Sequence, residues 1–153
     1  MIKLISKEEQ QIRAIFGGRF VENKPIPFPD IRKKYNYSNL FYWAHLEAIE
    51  TAEFPLHPHE GFEIMTFVLE GTVEHFDTKT NVWTKIQKDG FQVIQSGSGV
   101  YHGERITKDS RVFQIWFDPD FSKTLKEEPS YKDYPSDFII PKKDNKRTIY
   151  EYI

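Results

Sequence analysis

Short runs of β-branched and aromatic residues recur along this chain between polar turn residues, and none of them sustains the helical period. Leu40 to Leu46, Phe62 to Leu69, Thr72 to Asp77 and Val82 to Ile86 are four such runs. Phe91 to Gln95, Val100 to Ile106 and Val112 to Phe117 are three more. Runs of this length and composition read as strands. Glu70-Gly71, Lys79-Thr80-Asn81, Asp89-Gly90 and Ser96-Gly97-Ser98-Gly99 separate them with residues that suit turns. The best helix candidate is short, Ser6 to Gln11, where Ser6 can cap and Glu9 follows three residues on. The pattern predicts an all-β fold of two packed antiparallel sheets with few short helices.

Two regions are less regular. Glu22 to Tyr37 holds Pro25, Pro27 and Pro29 and then Arg32-Lys33-Lys34, and reads as a surface loop or edge with a solvated charge run. Phe121 to Lys146 mixes charges and prolines with Tyr131, Tyr134 and Phe138, which suggests an arm docked on the body. Arg147 to Ile153 reads again as a strand. At 153 residues the chain is expected to form one domain. Its N-terminal strands and loop would span 1–38, a barrel 39–120 and a C-terminal arm 121–153.

Composition narrows the function. Hydrophobic residues are only 39%, but 13 Phe, 8 Tyr and 3 Trp supply enough apolar area for one core. With 21 basic against 23 acidic residues, the chain lacks the basic excess that phosphate-backbone binding requires, so no direct nucleic-acid partner is expected. Cysteine is absent, which excludes disulfides, thiolate metal sites and cysteine nucleophiles. No signal peptide or bilayer-spanning run is evident, so the expectation is a cytoplasmic protein without membrane attachment.

The candidate chemistry lies in two strings, His57-Pro58-His59-Glu60-Gly61-Phe62-Glu63 and His102-Gly103-Glu104. Side chains two apart on a strand share a face. His57 with His59, and His102 with Glu104, can therefore converge from two neighbouring strands. Three imidazoles and a carboxylate suit one divalent first-row metal and leave open positions if it is octahedral. Alone, a His-x-His is a weak signal; its plain alternative is two partly exposed imidazoles beside a turn stiffened by Pro58. The second string, with its approach through Gly90, Gly97 and Gly99, strengthens the metal reading.

These strings, with Glu70-Gly71-Thr72-Val73-Glu74-His75-Phe76-Asp77 and Gly97-Ser98-Gly99-Val100-Tyr101-His102-Gly103-Glu104, resemble the pirin family of the cupin superfamily. Gln114-Ile115-Trp116 and Pro129-Ser130-Tyr131 extend the likeness, which spans about residues 39 to 153. The resemblance implies a cupin-type double-stranded β-helix and His57, His59, His102 and Glu104 as ligands, usually around Fe(II), with Mn, Ni, Cu, Co or Zn as alternatives. Many other cupins place the ligating carboxylate at the Glu63 position; the pirin pattern assigns Glu104, leaving Glu63 to orient an imidazole. Gly103 departs from the small Ser or Ala common there, and Glu60 stands where a basic residue is frequent. Pirins typically pair two such domains, and this chain resembles the metal-binding half.

The resemblance further implies an iron-dependent dioxygenase acting on flavonol-type, quercetin-like substrates, with Glu104, or a metal-bound hydroxide, to take the substrate's proton. A small aromatic substrate and dioxygen are then its partners. The alternative is a non-catalytic metal-binding regulator or sensor that acts through protein partners. Met65 and Phe67, by their residue parity, are expected to wall the cavity. His75 either lines it or is a hydrogen-bonded surface imidazole. His45 reads as a satisfied histidine on an alternating strand, and Trp43, Trp83 and Trp116 as core or interface. A flank left uncovered by a second domain predicts a homodimer, with the terminal strand as a candidate contact.

Overall fold

The computed structural model describes residues 4–27, 37–143 and 148–152. The Arg32-Lys33-Lys34 run lies outside them, as do the ends of the predicted terminal strand. Thirteen strands are described: β1 Gln11–Ile15, β2 Phe20–Ile26, β3 Leu40–Ala48, β4 Ala52–His59, β5 Glu63–Glu70, β6 Thr72–Asp77 and β7 Trp83–Gln87, then β8 Phe91–Gln95, β9 Val100–Ile106, β10 Arg111–Phe117, β11 Ser130–Tyr134, β12 Ile139–Lys143 and β13 Thr148–Tyr152. One sheet has the order β1-β2-β3-β10-β5-β8-β11 and the other β4-β9-β6-β7, with β12 and β13 paired as a ribbon. All described pairings are antiparallel. This is the all-β cupin-type architecture, and among the described residues helix is confined to α1, Phe121–Thr124, and three short 3-10 turns. Among the described residues no helix is long and apolar enough to cross a membrane.

The Ser6 to Gln11 candidate is one of these turns, Lys7–Glu9, where the Ser6 N–H donates to Glu9 Oε2 at 2.8 Å. The loop reading of Glu22 to Tyr37 is corrected at its start, because Phe20–Ile26 is a strand paired with β1 and β3. Glu22 and Lys24 misled it. Both point inward, buried, and neutralise each other at 3.0 Å. Within the region 121–146, β11 adds to the large sheet beside β8.

Interior positions are layered along the strands. At one end Phe20, Leu46, Val68, Val73, Ile86, Ile106 and Val112 form the larger apolar cluster. At the other, Ile64, Ile94 and Val100 pack with Phe62, Trp116 and Tyr131. Between them several strands change to polar residues. Gln114 lies beside Thr66, which lies beside Gln92, on the large sheet. His75 pairs with Glu104, and Asp77 with His102, on the small one. Buried polar groups are costly unless they find partners, so this belt marks where function has overridden packing.

Candidate metal centre

β4 and β9 are neighbours, and His57 lies opposite His102 in their register. A β-bulge between Phe54 and His57 places one extra β4 residue against β9. Without it, strict alternation would turn His57 and His59 outward wherever Phe54 faces the core. With it, Phe54 packs on the apolar cluster and both histidines face inward. β4 is also an edge strand of its sheet, where Pro55 and Pro58 cost no ladder partner on the outer side. Gly61 then turns the chain at φ +83°, where a Cβ would meet the Phe121 ring at 2.6 Å.

His57, His59 and His102 each offer a ring nitrogen within 4.8 Å of the others. The Nδ1 of His57 is 2.7 Å from the Pro55 carbonyl and donates to it, which leaves its Nε2 with a lone pair. His59 Nε2 and His102 Nε2 are buried with no hydrogen-bond partner. Buried ring nitrogens without a partner are what a cation can satisfy through their lone pairs, so the residues present fit a divalent metal. Burial is the main cause that lowers the pKa of His59 to about 4 and of His102 to about 2, with neighbouring imidazoles adding to it. Both rings are thus held neutral, as metal ligands must be.

Glu104 follows His102 on the same face of β9 but does not join the three-nitrogen group. Its carboxylate accepts from Gln114 Nε2 at 3.2 and 3.3 Å. Burial raises its pKa to about 7 against the opposing effect of that hydrogen bond. Gly103, between the two, is buried beneath the β4 bulge, 3.3 Å from the Phe54 carbonyl at its would-be Cβ.

Other expectations are redistributed. Glu63 is not beside an imidazole; it accepts from Gln95 Nε2 at 2.9 Å on the exposed face. Met65 and Phe67 do not wall the site, because Ile64, Thr66 and Val68 are the buried, inward residues of β5. Phe67 instead stacks on Phe91 on the opposite face. Parity is not transmitted through a turn, and the chain between His59 and β5 resets it. The rings that do flank the trio are Phe62 and Trp116, whose centroids are each 5.3 Å from that of His59. Phe62 sits inside the first string, which was its available signal. His75 is wholly buried behind His102 rather than on the surface. His45 Nε2 is buried without a hydrogen-bond partner, so that histidine is not fully satisfied. Trp83 is 42% exposed under Arg105 and is not core.

A cleft of about 590 Å³ opens on this end of the barrel, lined by Pro58, His59, Glu60, Phe62, Val100 and Tyr101 among others. Two packed antiparallel sheets with three clustered imidazoles, His59 among them lining the cleft, make a cupin-type barrel with a histidine group that could hold a metal ion. The sequence profile described as Pirin matches residues 27–117, and the chain belongs to the pirin family.

The chain is 38% identical over 78 residues to a quercetin 2,3-dioxygenase of Escherichia coli strain K12, an alignment covering 48% of this chain and 33% of that protein. It is 36% identical over 86 residues to a pirin-like protein of Caulobacter vibrioides, covering 55% of this chain and 37% of that one. The crystal structure of the bacterial pirin YhhW from Escherichia coli in complex with nickel(II) superposes with a TM-score of 0.72 at 25% identity, covering 84% of this chain and 55% of that one. The chain thus spans about a third of the curated relatives' length and about half of the solved pirin's.

Proposed function

We propose that His57, His59 and His102 hold one divalent first-row metal, Fe(II) in the active form, with Glu104 as fourth donor, in a dioxygenase for flavonol-type substrates. The observation that carries the reading is the cleft of about 590 Å³ that opens directly onto His59. That volume lies within the ~300–1,000 Å³ of small-molecule sites. The quercetin dioxygenase name of the Escherichia coli relative supports the substrate class. A bound metal supplies Lewis acidity and, as iron, access to dioxygen.

The chain's own residues supply the rest. Phe62 and Trp116, stacked at 5.4 Å, form an apolar wall beside His59 that suits a flat aromatic substrate and excludes water. In the metal-free protein burial holds the Glu104 carboxyl near neutrality; as a ligand to a cation it would be ionised, and it is the carboxylate placed to accept a proton from a substrate hydroxyl. Gln114 keeps the carboxylate oriented between uses. The test compares iron-loaded with metal-stripped protein on quercetin under air. The iron-loaded protein should consume oxygen in step with quercetin loss. Equal rates, at the background of spontaneous oxidation, would remove the enzyme reading and favour a regulatory metal protein.

Glu104 as a donor makes metal binding pH-dependent with a definite sign. Below about pH 7 its carboxyl is protonated, and coordination must displace that proton. The wild-type protein should therefore lose about one more factor of ten in affinity per pH unit below 7 than Glu104→Gln does. In the metal-free protein the linkage runs the other way. A carboxyl whose folded pKa is raised stabilises fully below its unfolded value, and that contribution is lost as pH rises through about 7. Competitive metal titrations between pH 5 and 8 measure the first effect, and parallel slopes for the two proteins would exclude Glu104 as a ligand.

A further inference from the structure

The trio is backed by a polar chain that the proposed reaction does not use. His75 on β6 is 0% exposed, and its Nε2 lies 3.2 Å from His102 Nδ1. Its other nitrogen, Nδ1, is 3.8 Å from Asp77 Oδ2. Asp77 is itself pinned. Its Oδ1 accepts from the backbone N–H groups of Lys79 at 2.8 Å and Thr80 at 2.7 Å, and its Oδ2 from the Thr80 hydroxyl at 3.1 Å. The ring of Tyr131, from the docked arm, lies flat on His75 with centroids 4.7 Å apart and planes 9° apart. Tyr131 is held in turn by hydrogen bonds with Gln92, Thr84 and Asp133.

Between two neutral imidazoles only one nitrogen can donate, so two proton arrangements are available. In one, His75 Nε2 donates to His102 Nδ1. His102 then carries its proton on Nε2, where it meets no hydrogen-bond acceptor, and a lone pair on His75 Nδ1 faces the Asp77 carboxylate. In the other, His102 Nδ1 donates to His75 Nε2, and His75 carries its proton on Nδ1 toward Asp77. The second removes the lone-pair repulsion, leaves His102 Nε2 as a free acceptor, and turns the His75 Nδ1–H, which has no hydrogen-bond partner, toward the Asp77 carboxylate as a charge–dipole contact at 3.8 Å. A carboxylate at 3.8 Å in a buried site decides between them, because charge interactions there are little screened.

We propose that His75, set by Asp77 and clamped by Tyr131, is a positioning residue that locks His102 in its Nδ1–H tautomer and aims Nε2 into the trio. The metal-facing part of this inference rests on the proposed metal centre; the tautomer does not. A histidine ligand held by a hydrogen bond on its far nitrogen binds a cation better than a free ring, by about 10- to 100-fold.

The experiment has two arms. Long-range proton–nitrogen NMR of metal-free, histidine-labelled protein should show the proton on Nδ1 of both His102 and His75. A proton on His102 Nε2 would overturn the proposal. Competitive titration with nickel(II) should show His75→Leu binding about 10- to 100-fold more weakly than wild type. His75→Gln, whose side-chain carbonyl can accept from His102 Nδ1–H, should recover part of that loss. Nickel affinity within twofold of wild type in a folded His75→Leu protein would also overturn it. If wild-type protein binds no nickel while the NMR shows the Nδ1–H tautomers, the metal reading fails and the positioning assignment stands.

Discussion

Replacing His102 by alanine is expected to abolish metal binding and, with it, the thermal stabilisation that metal confers. His102 is at the centre of the cluster, with ring centroids 4.4 Å from His57 and 4.8 Å from His59. A ligand at 100 times its Kd stabilises by about 2.7 kcal/mol. At roughly 2–4 °C per kcal/mol for a chain of this size, wild-type protein should gain roughly 5–10 °C in Tm on adding metal. His102→Ala should gain none. The metal-free variant is a milder case, because two effects oppose. The change deletes one buried orphan nitrogen, His102 Nε2, and creates another at His75 Nε2. An unsatisfied buried polar group costs about 1–3 kcal/mol, so the two largely offset and the apo Tm should fall only by the cost of the cavity. Differential scanning calorimetry of both proteins with and without metal separates these contributions. An unchanged metal-dependent gain in His102→Ala would remove His102 from the site.

Phe20→Ala should produce the largest loss of stability without touching the site. Phe20 is 0% exposed, stacks on Phe54 at 4.7 Å with planes 7° apart, and meets Phe16 edge-on. Truncating a fully buried Phe costs about 3–5 kcal/mol from lost transfer energy and the residual cavity. The expected fall in Tm is on the order of 10 °C. Trp83→Ala is the matched contrast. That ring is 42% exposed on the outermost strand of its sheet and is covered by the Arg105 guanidinium at 4.6 Å, a contact worth about 0.5–1 kcal/mol when exposed. Denaturant unfolding of the two variants should differ by several-fold in lost free energy, and comparable losses would mean that the apolar cluster around Phe20 is wrongly drawn.

Much of this architecture was legible because the barrel strands obey simple rules. Thr72 to Asp77, Phe91 to Gln95 and Val100 to Ile106 are strands with the bounds their β-branched and aromatic content predicted. The three histidines were legible from spacing, since two-residue steps put His57 and His59 on one face of their strand and His102 on the strand paired with it. What was hidden depends on events between strands. Glu22 and Lys24 look like surface charges until their mutual ion pair is seen inside. The bulge after Phe54 has no composition of its own, yet it decides which face His57 and His59 occupy. Residue parity carried across Gly61 pointed to Met65 and Phe67, whereas the turn there hands the inward positions to Ile64 and Thr66. The link from His75 to His102 runs between β6 and β9, and only the sheet register brings the two rings together.

Crystals of iron(II)-loaded protein, with anomalous data collected at the iron edge, test the metal centre most directly. One peak is expected, with a ring nitrogen from each of His57, His59 and His102 at about 2.0–2.2 Å. A peak bound elsewhere, or none within reach of these three imidazoles at full iron loading, would contradict the account.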